Sequence, residues 1–121
     1  MNLKVIDCDF SICKIKTLEN VNLKDEFVFL SVTDQEISLV CKTEFVPKDP
    51  IAVKEGWKGF RIEGELDFSF IGIVSKISAI LAERKISIFV VSTYNTDYVL
   101  IEAAQMSDAI TALQENGYSF F

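Results

Sequence analysis

Apolar residues in the second half of the chain follow a helical spacing and then a strand-like run. Positions 73, 77, 80 and 81 are isoleucine or leucine and form one stripe, which predicts a helix over residues 71–84. The β-branched and aromatic run Ile86–Val91 predicts an interior strand over 86–93 and is too short to span a membrane. Strands are also predicted at 57–64 and 97–102.

A second helix is predicted near the C-terminus. Ser107 is a suitable N-cap, the apolar stripe continues through Leu113, and Asn116-Gly117 is typical of a helix end. A last strand then follows at 118–121. The order β-α-β-β-α-β over 57–121 predicts an α+β, ferredoxin-like fold.

The first half of the chain is rich in strand-like runs and has no clear helix. Strands are predicted at 3–7 and 10–16, and those at 27–32 and 36–42 form a hairpin around Thr33-Asp34-Gln35. The segment Thr43–Gly56 contains both prolines and is predicted to be irregular, with at most one turn of helix. We therefore expect a tandem arrangement: a shortened half at 1–56 and a complete domain at 57–121, with Trp57 at least partly buried where they join.

Composition and charge exclude several classes of function. The chain has 121 residues and is 50% hydrophobic, which is enough for a packed core. Its net charge of −6 and its lack of a basic cluster argue against nucleic acid or an anionic membrane as partner. No secretory signal is recognised, so we expect a soluble, cytoplasmic protein.

Histidine is absent and the three cysteines have no paired spacing. This argues against a disulfide framework, a metal site and every Ser-His or Cys-His nucleophile. We therefore expect a non-catalytic protein with no cofactor. The nearby carboxylates Asp7 and Asp9 are interpreted as a solvated strand end, with a metal or catalytic role as the weaker alternative.

Two polar loops bracket the first predicted helix and its following strand. Asp67 or Ser69 is a suitable N-cap, and Gly72 in the first turn leaves backbone N–H groups open to an anion such as a carboxylate. The alternative is that Gly72 only relieves close packing of helix on sheet. In the second loop Asp97 suits an ammonium or guanidinium group, but it equally suits a turn in which Thr93 and Thr96 bond their own backbone.

The residues of these loops carry a resemblance to a known family. The stretch Trp57–Ser69, Ile71-Gly72-Ile73, and Ile86–Phe89 with Ser92–Tyr98 resemble the ACT domain family. More narrowly, the chain is similar to small bacterial proteins with two ACT-like halves, related to the cytosolic arginine sensors of animals. The resemblance implies allosteric regulation through amino-acid binding, with these ligand-binding residues: Asp67, Phe68, Ser69, Ile71, Gly72, Ile73, Thr93, Tyr94, Asn95, Thr96 and Asp97.

Three functions are weighed on this basis. The first is a regulatory module that binds an amino acid, the second is a structural or protein-interaction domain without a ligand, and the third and weakest is an enzyme that uses carboxylates. We also expect a homodimer, because ferredoxin-like halves leave edge strands and apolar ends such as Phe120-Phe121 that benefit from cover.

Overall fold

The computed structural model describes residues 1–63 and 72–121. Within these ranges the helices and strands are β1 (Asn2–Ile15), β2 (Phe29–Val32), β3 (Ile37–Lys42), β4 (Ala52–Ile62), α1 (Ile73–Glu83), β5 (Phe89–Ser92), β6 (Asp97–Glu102), α2 (Met106–Glu115) and β7 (Ser119–Phe120). Short 3-10 turns follow β3 at Thr43–Phe45 and β6 at Ala103–Gln105.

The chain divides into two units, and both divisions fall inside a strand. Unit 1 comprises residues 1–7 and 58–121, and unit 2 comprises residues 8–57. The divisions therefore lie within β1 and β4 rather than in loops. The sequence led us to place all of residues 1–56 in one half, whereas the first seven residues belong with the C-terminal unit.

Unit 1 has the βαββαβ chain order expected of a ferredoxin-like α+β fold, from β4 to β7. Its strand order is β7-β1-β4-β6-β5. The start of β1 lies between the first and last strands of the motif: Glu63 N–H donates to the Asn2 carbonyl at 2.9 Å, and Asn2 is paired in parallel with Ser119 of β7. The order of elements within residues 57–121 does not predict this strand, because it belongs to the N-terminus of the chain, far in sequence from the rest of the motif.

Both helices of unit 1 bury their apolar stripes against one face of its strands. Phe60 and Val99 represent the strand side of this core, and Ile77 and Leu113 the helix side. Among the described residues, the buried members of this core cluster are Leu3, Phe60, Ile62, Ile77, Leu81, Ile86, Val99, Ile101, Met106, Ala109, Ala112 and Leu113.

For α2, the predicted end is confirmed and the predicted N-cap is wrong. Gly117 adopts φ 91° and Tyr118 N–H donates to the Leu113 carbonyl at 3.1 Å, so the predicted end of α2 at Asn116-Gly117 is confirmed. The predicted N-cap of α2 is wrong: Gln105 is the N-cap, and Ser107 lies inside the first turn.

Unit 2 has the strand order β2-β3-β1-β4. The predicted hairpin is confirmed, with Val32 paired antiparallel to Ile37 across the turn. One of its buried clusters consists of Cys13, Ile15, Leu39 and Cys41. Trp57 is 9% exposed, which confirms that it is buried.

Two predicted boundaries in the first half are wrong, and one prediction is confirmed. The strands expected at 3–7 and 10–16 form one continuous strand, and β4 begins at Ala52 rather than at Trp57. Residues 8–57, all of which are described, contain no α-helix, as the shortened-half prediction requires.

The hairpin of unit 2 is repeated in unit 1 at a constant distance along the chain. Adding 60 to the bounds Phe29–Val32 and Ile37–Lys42 gives Phe89–Ser92 and Asp97–Glu102, which are β5 and β6. The same shift relates the two 3-10 turns. Unit 2 therefore repeats the hairpin and the 3-10 turn of unit 1 but has no counterpart of the helices α1 and α2.

Candidate functional site

The residues predicted to bind a ligand fall into a group before α1 and a group between β5 and β6. Asp67, Phe68, Ser69 and Ile71 lie outside the described residues. The other seven belong to unit 1: Gly72, Ile73, Thr93, Tyr94, Asn95, Thr96 and Asp97.

Gly72 immediately precedes the first residue of α1 rather than lying within its first turn. It is the N-cap residue, so the expectation of Asp67 or Ser69 in that position is wrong. Its φ of 79° is left-handed, and a Cβ built there meets no described atom within 4 Å. The backbone conformation therefore explains the glycine, and the described residues do not support the close-packing alternative.

The start of α1 has the electrostatic character that an anion prefers. The first intrahelical bond runs from Lys76 N–H to the Gly72 carbonyl at 2.9 Å, so the N–H groups of Ile73, Val74 and Ser75 precede the helical ladder. No acidic side chain lies in this first turn. The positive end of the helix dipole is therefore not neutralised from within the turn.

The turn between β5 and β6 is held by the side chain of Thr93. Its Oγ1 donates to the Thr96 carbonyl at 2.9 Å and accepts from Thr96 N–H at 3.4 Å, while Thr93 N–H donates to the same carbonyl at 2.8 Å. Thr33 bonds Glu36 in the same way in the unit 2 hairpin. The turn-forming role considered for Thr93 is therefore present.

Thr96 ties this turn to the end of β4. Its hydroxyl donates to the Ile62 carbonyl at 2.7 Å, in a buried position where Thr96 is 9% exposed. Ile62 is the last residue of β4, from which the chain leads through residues 63–71 to Gly72. The carbonyl of Ile62 was not predicted, because a backbone acceptor leaves no signal in the side-chain pattern.

Asp97 opens β6, where it is half-buried and paired with Ser92 across the hairpin. Tyr94 at the tip of the turn has 87% of its surface exposed, and Asn95 is also exposed. Asp97 is therefore the acidic residue of this group, and it is partly shielded from solvent.

Arg61 adds a cationic group on β4 that the sequence analysis did not single out. Its Nε donates to Glu63 Oε2 at 2.9 Å, and this hydrogen bond, together with one to Tyr98, raises the pKa of the guanidinium above its ordinary value. Arg61 alternates with the core residues Phe60 and Ile62, so it lies on the opposite face of the strand from the helices.

The three cysteines are free thiols, and two of them are buried. Burial raises the pKa of Cys41 to about 12, and burial likewise raises that of Cys13. In residues 1–63 and 72–121, no three cysteine or carboxylate side chains are grouped so as to hold a metal ion. Nor does either described helix have the length and apolarity needed to cross a membrane.

Taken together, the described elements form a ferredoxin-like unit in which the turn before β6 is hydrogen-bonded to the end of β4. A family model for the ACT domain matches residues 52–115. The match covers more than half of the chain, which therefore belongs to the ACT domain family. ACT domains are regulatory, non-catalytic, ligand-binding modules, and the family expectation from the loop residues is confirmed.

Solved structures show the same fold. A crystal structure of a protein from Agobacterium tumefaciens is similar with a TM-score of 0.87 and 29% identity, over 99% of this chain and 91% of that one. A Vibrio cholerae protein described as a possible transport protein has a TM-score of 0.74 and 17% identity, over 94% and 88%. The ligand-free regulatory subunit of aspartate kinase from Thermus thermophilus has a TM-score of 0.64 and 12% identity, over 93% and 95%. A comparison with curated protein sequences gives no significant match.

Proposed function

We propose that this ACT-domain protein is a regulatory module that binds a free amino acid in unit 1. The ligand lies between the segment before α1 and the turn before β6. The residues assigned to it are Asp67, Phe68, Ser69, Ile71, Gly72 and Ile73 on one side, and Thr93, Tyr94, Asn95, Thr96 and Asp97 on the other.

The buried hydrogen bond from Thr96 to the Ile62 carbonyl carries this proposal. It holds the turn against the strand end from which the pre-helix segment departs. The helix N-terminus at Gly72 suits a carboxylate, and the half-buried Asp97 suits an ammonium group. An α-amino acid carries an ammonium group and a carboxylate on the same carbon, so it matches this pair of groups.

A second candidate function is a protein-interaction domain without a ligand. The observation that favours it is that the hydroxyls of Thr93 and Thr96 are already engaged within the protein. In the amino-acid proposal these two threonines shape the turn, and the ligand contacts the backbone of the turn and Asp97.

The proposal also covers the location of the protein, its oligomeric state and its partner. We propose a non-catalytic, cytoplasmic protein that forms a homodimer and passes the binding event to a protein partner. Light scattering coupled to size exclusion tests the dimer, since a mass of 13.6 kDa at micromolar concentration would show a monomer.

Thermal melting against the twenty amino acids is the first test of ligand binding. A ligand at about a hundred times its Kd stabilises the folded state by roughly 2.7 kcal/mol. We expect one amino acid, or a small related group, to raise the melting temperature. A flat response across the panel at millimolar concentration would favour the protein-interaction function instead.

Calorimetric titration of variants then tests the site. Asp97→Asn removes a charge-assisted hydrogen bond and should weaken binding by about 1.5–3 kcal/mol, or roughly ten- to a hundredfold. Gly72→Val forces a branched residue into a left-handed conformation next to the helix N-terminus and should abolish binding. Asp34→Asn, in the equivalent turn of unit 2, is the matched control and should bind like the wild type. Equal affinities for the wild type and Asp97→Asn would remove Asp97 from the site.

A further inference from the structure

The pair Asn116-Gly117, which ends α2, combines a side-chain amide with an unhindered backbone nitrogen. Asn116 is the only asparagine of the chain that glycine follows; the others precede leucine, valine or threonine. A side chain on the following residue hinders attack by its backbone nitrogen on the asparagine amide, and glycine has no side chain. In an unfolded chain, Asn116 should therefore lose its amide group faster than any other asparagine.

This deamidation needs no reagent other than water. The Gly117 nitrogen forms a bond to Cγ of Asn116, while the bond from Cγ to Nδ2 breaks. The proton of the attacking nitrogen passes to the departing one, which leaves as ammonia, and the product is a cyclic imide. Water then opens the imide. Addition at Cγ gives aspartate, and addition at the main-chain carbonyl gives isoaspartate, in which the main chain runs through the former side chain.

Both reacting groups are engaged in other hydrogen bonds in the folded chain. Asn116 Nδ2 donates to the Ala112 carbonyl at 2.8 Å, and Gly117 N–H donates to the Gln114 carbonyl at 3.1 Å. These two bonds satisfy carbonyl groups that the end of a helix otherwise leaves without a partner. The reactive pair is therefore also the pair that closes the last turn of α2.

The backbone angle at Asn116 also opposes the reaction. The imide ring requires the Gly117 nitrogen to lie on the same side of the Cα–C bond as Cβ. At the observed ψ of 17°, that nitrogen is instead nearly eclipsed with the backbone nitrogen of Asn116. The peptide plane between the two residues must therefore rotate before the bond forms, and this rotation breaks the hydrogen bond of Gly117.

The chain after the pair holds the closed turn in place. Tyr118 N–H donates to the Leu113 carbonyl at 3.1 Å, and Ser119 N–H donates to the Met1 carbonyl at 3.0 Å. Asn116 and the following glycine are exposed, so water reaches them without any movement of the protein. The conformation of the turn, and not access to water, therefore limits the reaction.

We propose that Asn116 is a self-modification site that deamidates when the last turn of α2 opens, and that either product makes the closed turn less stable. An aspartate has no donor for the Ala112 carbonyl, and it adds a negative charge at the negative end of the helix dipole, next to Glu115. An isoaspartate adds a methylene group to the main chain before Gly117, which disturbs the hydrogen bond of Tyr118. This inference goes beyond the proposed function and holds whether or not unit 1 binds a ligand.

Peptide mapping by mass spectrometry measures the reaction at each asparagine. Folded protein and protein unfolded in guanidinium chloride are kept at the same mildly alkaline pH and temperature. In the unfolded protein, Asn116 should react well before Asn95, which Thr96 follows. In the folded protein, Asn116 should react about ten- to a hundredfold more slowly, because two hydrogen bonds must break first. Equal rates at Asn116 in the two samples would overturn the proposal, and so would a rate at Asn116 in the unfolded protein no higher than at Asn95.

Two variants test the effect of the product. Asn116→Asp reproduces the aspartate form, and Asn20→Asp makes the same charge change at an exposed position in unit 2. Hydrogen exchange at the Tyr118 amide should be about tenfold faster in Asn116→Asp than in the wild type and unchanged in Asn20→Asp. A thermal melt of each variant verifies folding. If the Tyr118 amide exchanges equally in all three proteins, modification does not loosen the turn and that half of the proposal is wrong.

Discussion

Replacing Thr96 by valine tests the contact that holds the candidate site together. Valine has nearly the same shape as threonine but no hydroxyl, so the change removes the 2.7 Å hydrogen bond to the Ile62 carbonyl and little else. The carbonyl is left at a buried position without this donor. A buried polar group that loses its partner costs about 1–3 kcal/mol of folding free energy.

That loss is large enough to measure in two ways. For a chain of this size, about 1–3 kcal/mol corresponds to a fall in melting temperature of roughly 4–12 °C. Urea unfolding followed by the fluorescence of the single tryptophan, Trp57, gives the free energy directly. The dependence on urea concentration should stay the same, because the surface exposed on unfolding does not change.

Two companion variants make the test selective. Thr111→Val also removes a threonine hydroxyl, but this one donates at 3.1 Å to the Ser107 carbonyl on the exposed side of α2, so the loss should stay within about 0.5 kcal/mol. Thr96→Ser keeps the donor and should lie between the wild type and Thr96→Val. If Thr96→Val is no less stable than Thr111→Val, the hydroxyl does not hold the turn to β4.

Two further predictions concern other parts of the structure. Burial in the folded state raises the pKa of Cys41 from 9.0 to about 12, so above pH 9 the thiol loses its proton in the unfolded chain and keeps it in the folded one. The free energy of unfolding of the wild type should therefore fall by on the order of 1 kcal/mol from pH 8 to pH 10, relative to that of Cys41→Ala. An equal change in the two proteins, measured by urea unfolding, would contradict this. Arg84→Gln breaks two exposed ion pairs, to Asp108 and Glu115 at 2.8 Å each. The free energy of unfolding should fall by less than about 1 kcal/mol at low salt and should hardly change at 1 M salt. A larger loss that salt does not reduce would show that Arg84 acts through packing instead.

The C-terminal elements were predictable because their signals are local. The apolar stripe through Ile77 and Leu81 identifies α1. The hairpin that leads into β6 at Asp97 is recognisable because its turn residues directly precede the strand in the sequence. Gly117 marks the end of α2, since its left-handed conformation is the one that glycine favours.

The longest strands were harder to predict, because their patterns change midway. In β1 the polar residues Asp7 and Asp9 interrupt the apolar alternation and look like a loop, although the strand continues through them from Asn2 to Ile15. The start of β4 consists of exposed residues after Pro50, without the alternation that a strand with one buried face shows. Hydrogen bonds to strands distant in sequence define these segments, and a local pattern does not contain them.

For the candidate site, the sequence indicated the two segments but not the contact that fixes one of them. The polar loops flanking α1 were recognised from Gly72 and from the run Thr93–Asp97. The bond from Thr96 to Ile62 joins residues 34 positions apart and involves a backbone oxygen.

The position of the first residues of β1 between β4 and β7 has a practical consequence for dissecting the protein. A fragment starting at Trp57 would lack the strand that β7 pairs with. A circular permutant that begins at Lys58, runs to Phe121 and continues through a short glycine-serine linker into residues 1–7 would contain the whole of unit 1. Ser119 N–H bonds the Met1 carbonyl at 3.0 Å, so the linker has only a few residues' length of strand to span. Such a rearranged chain would allow the binding properties of unit 1 to be measured in isolation.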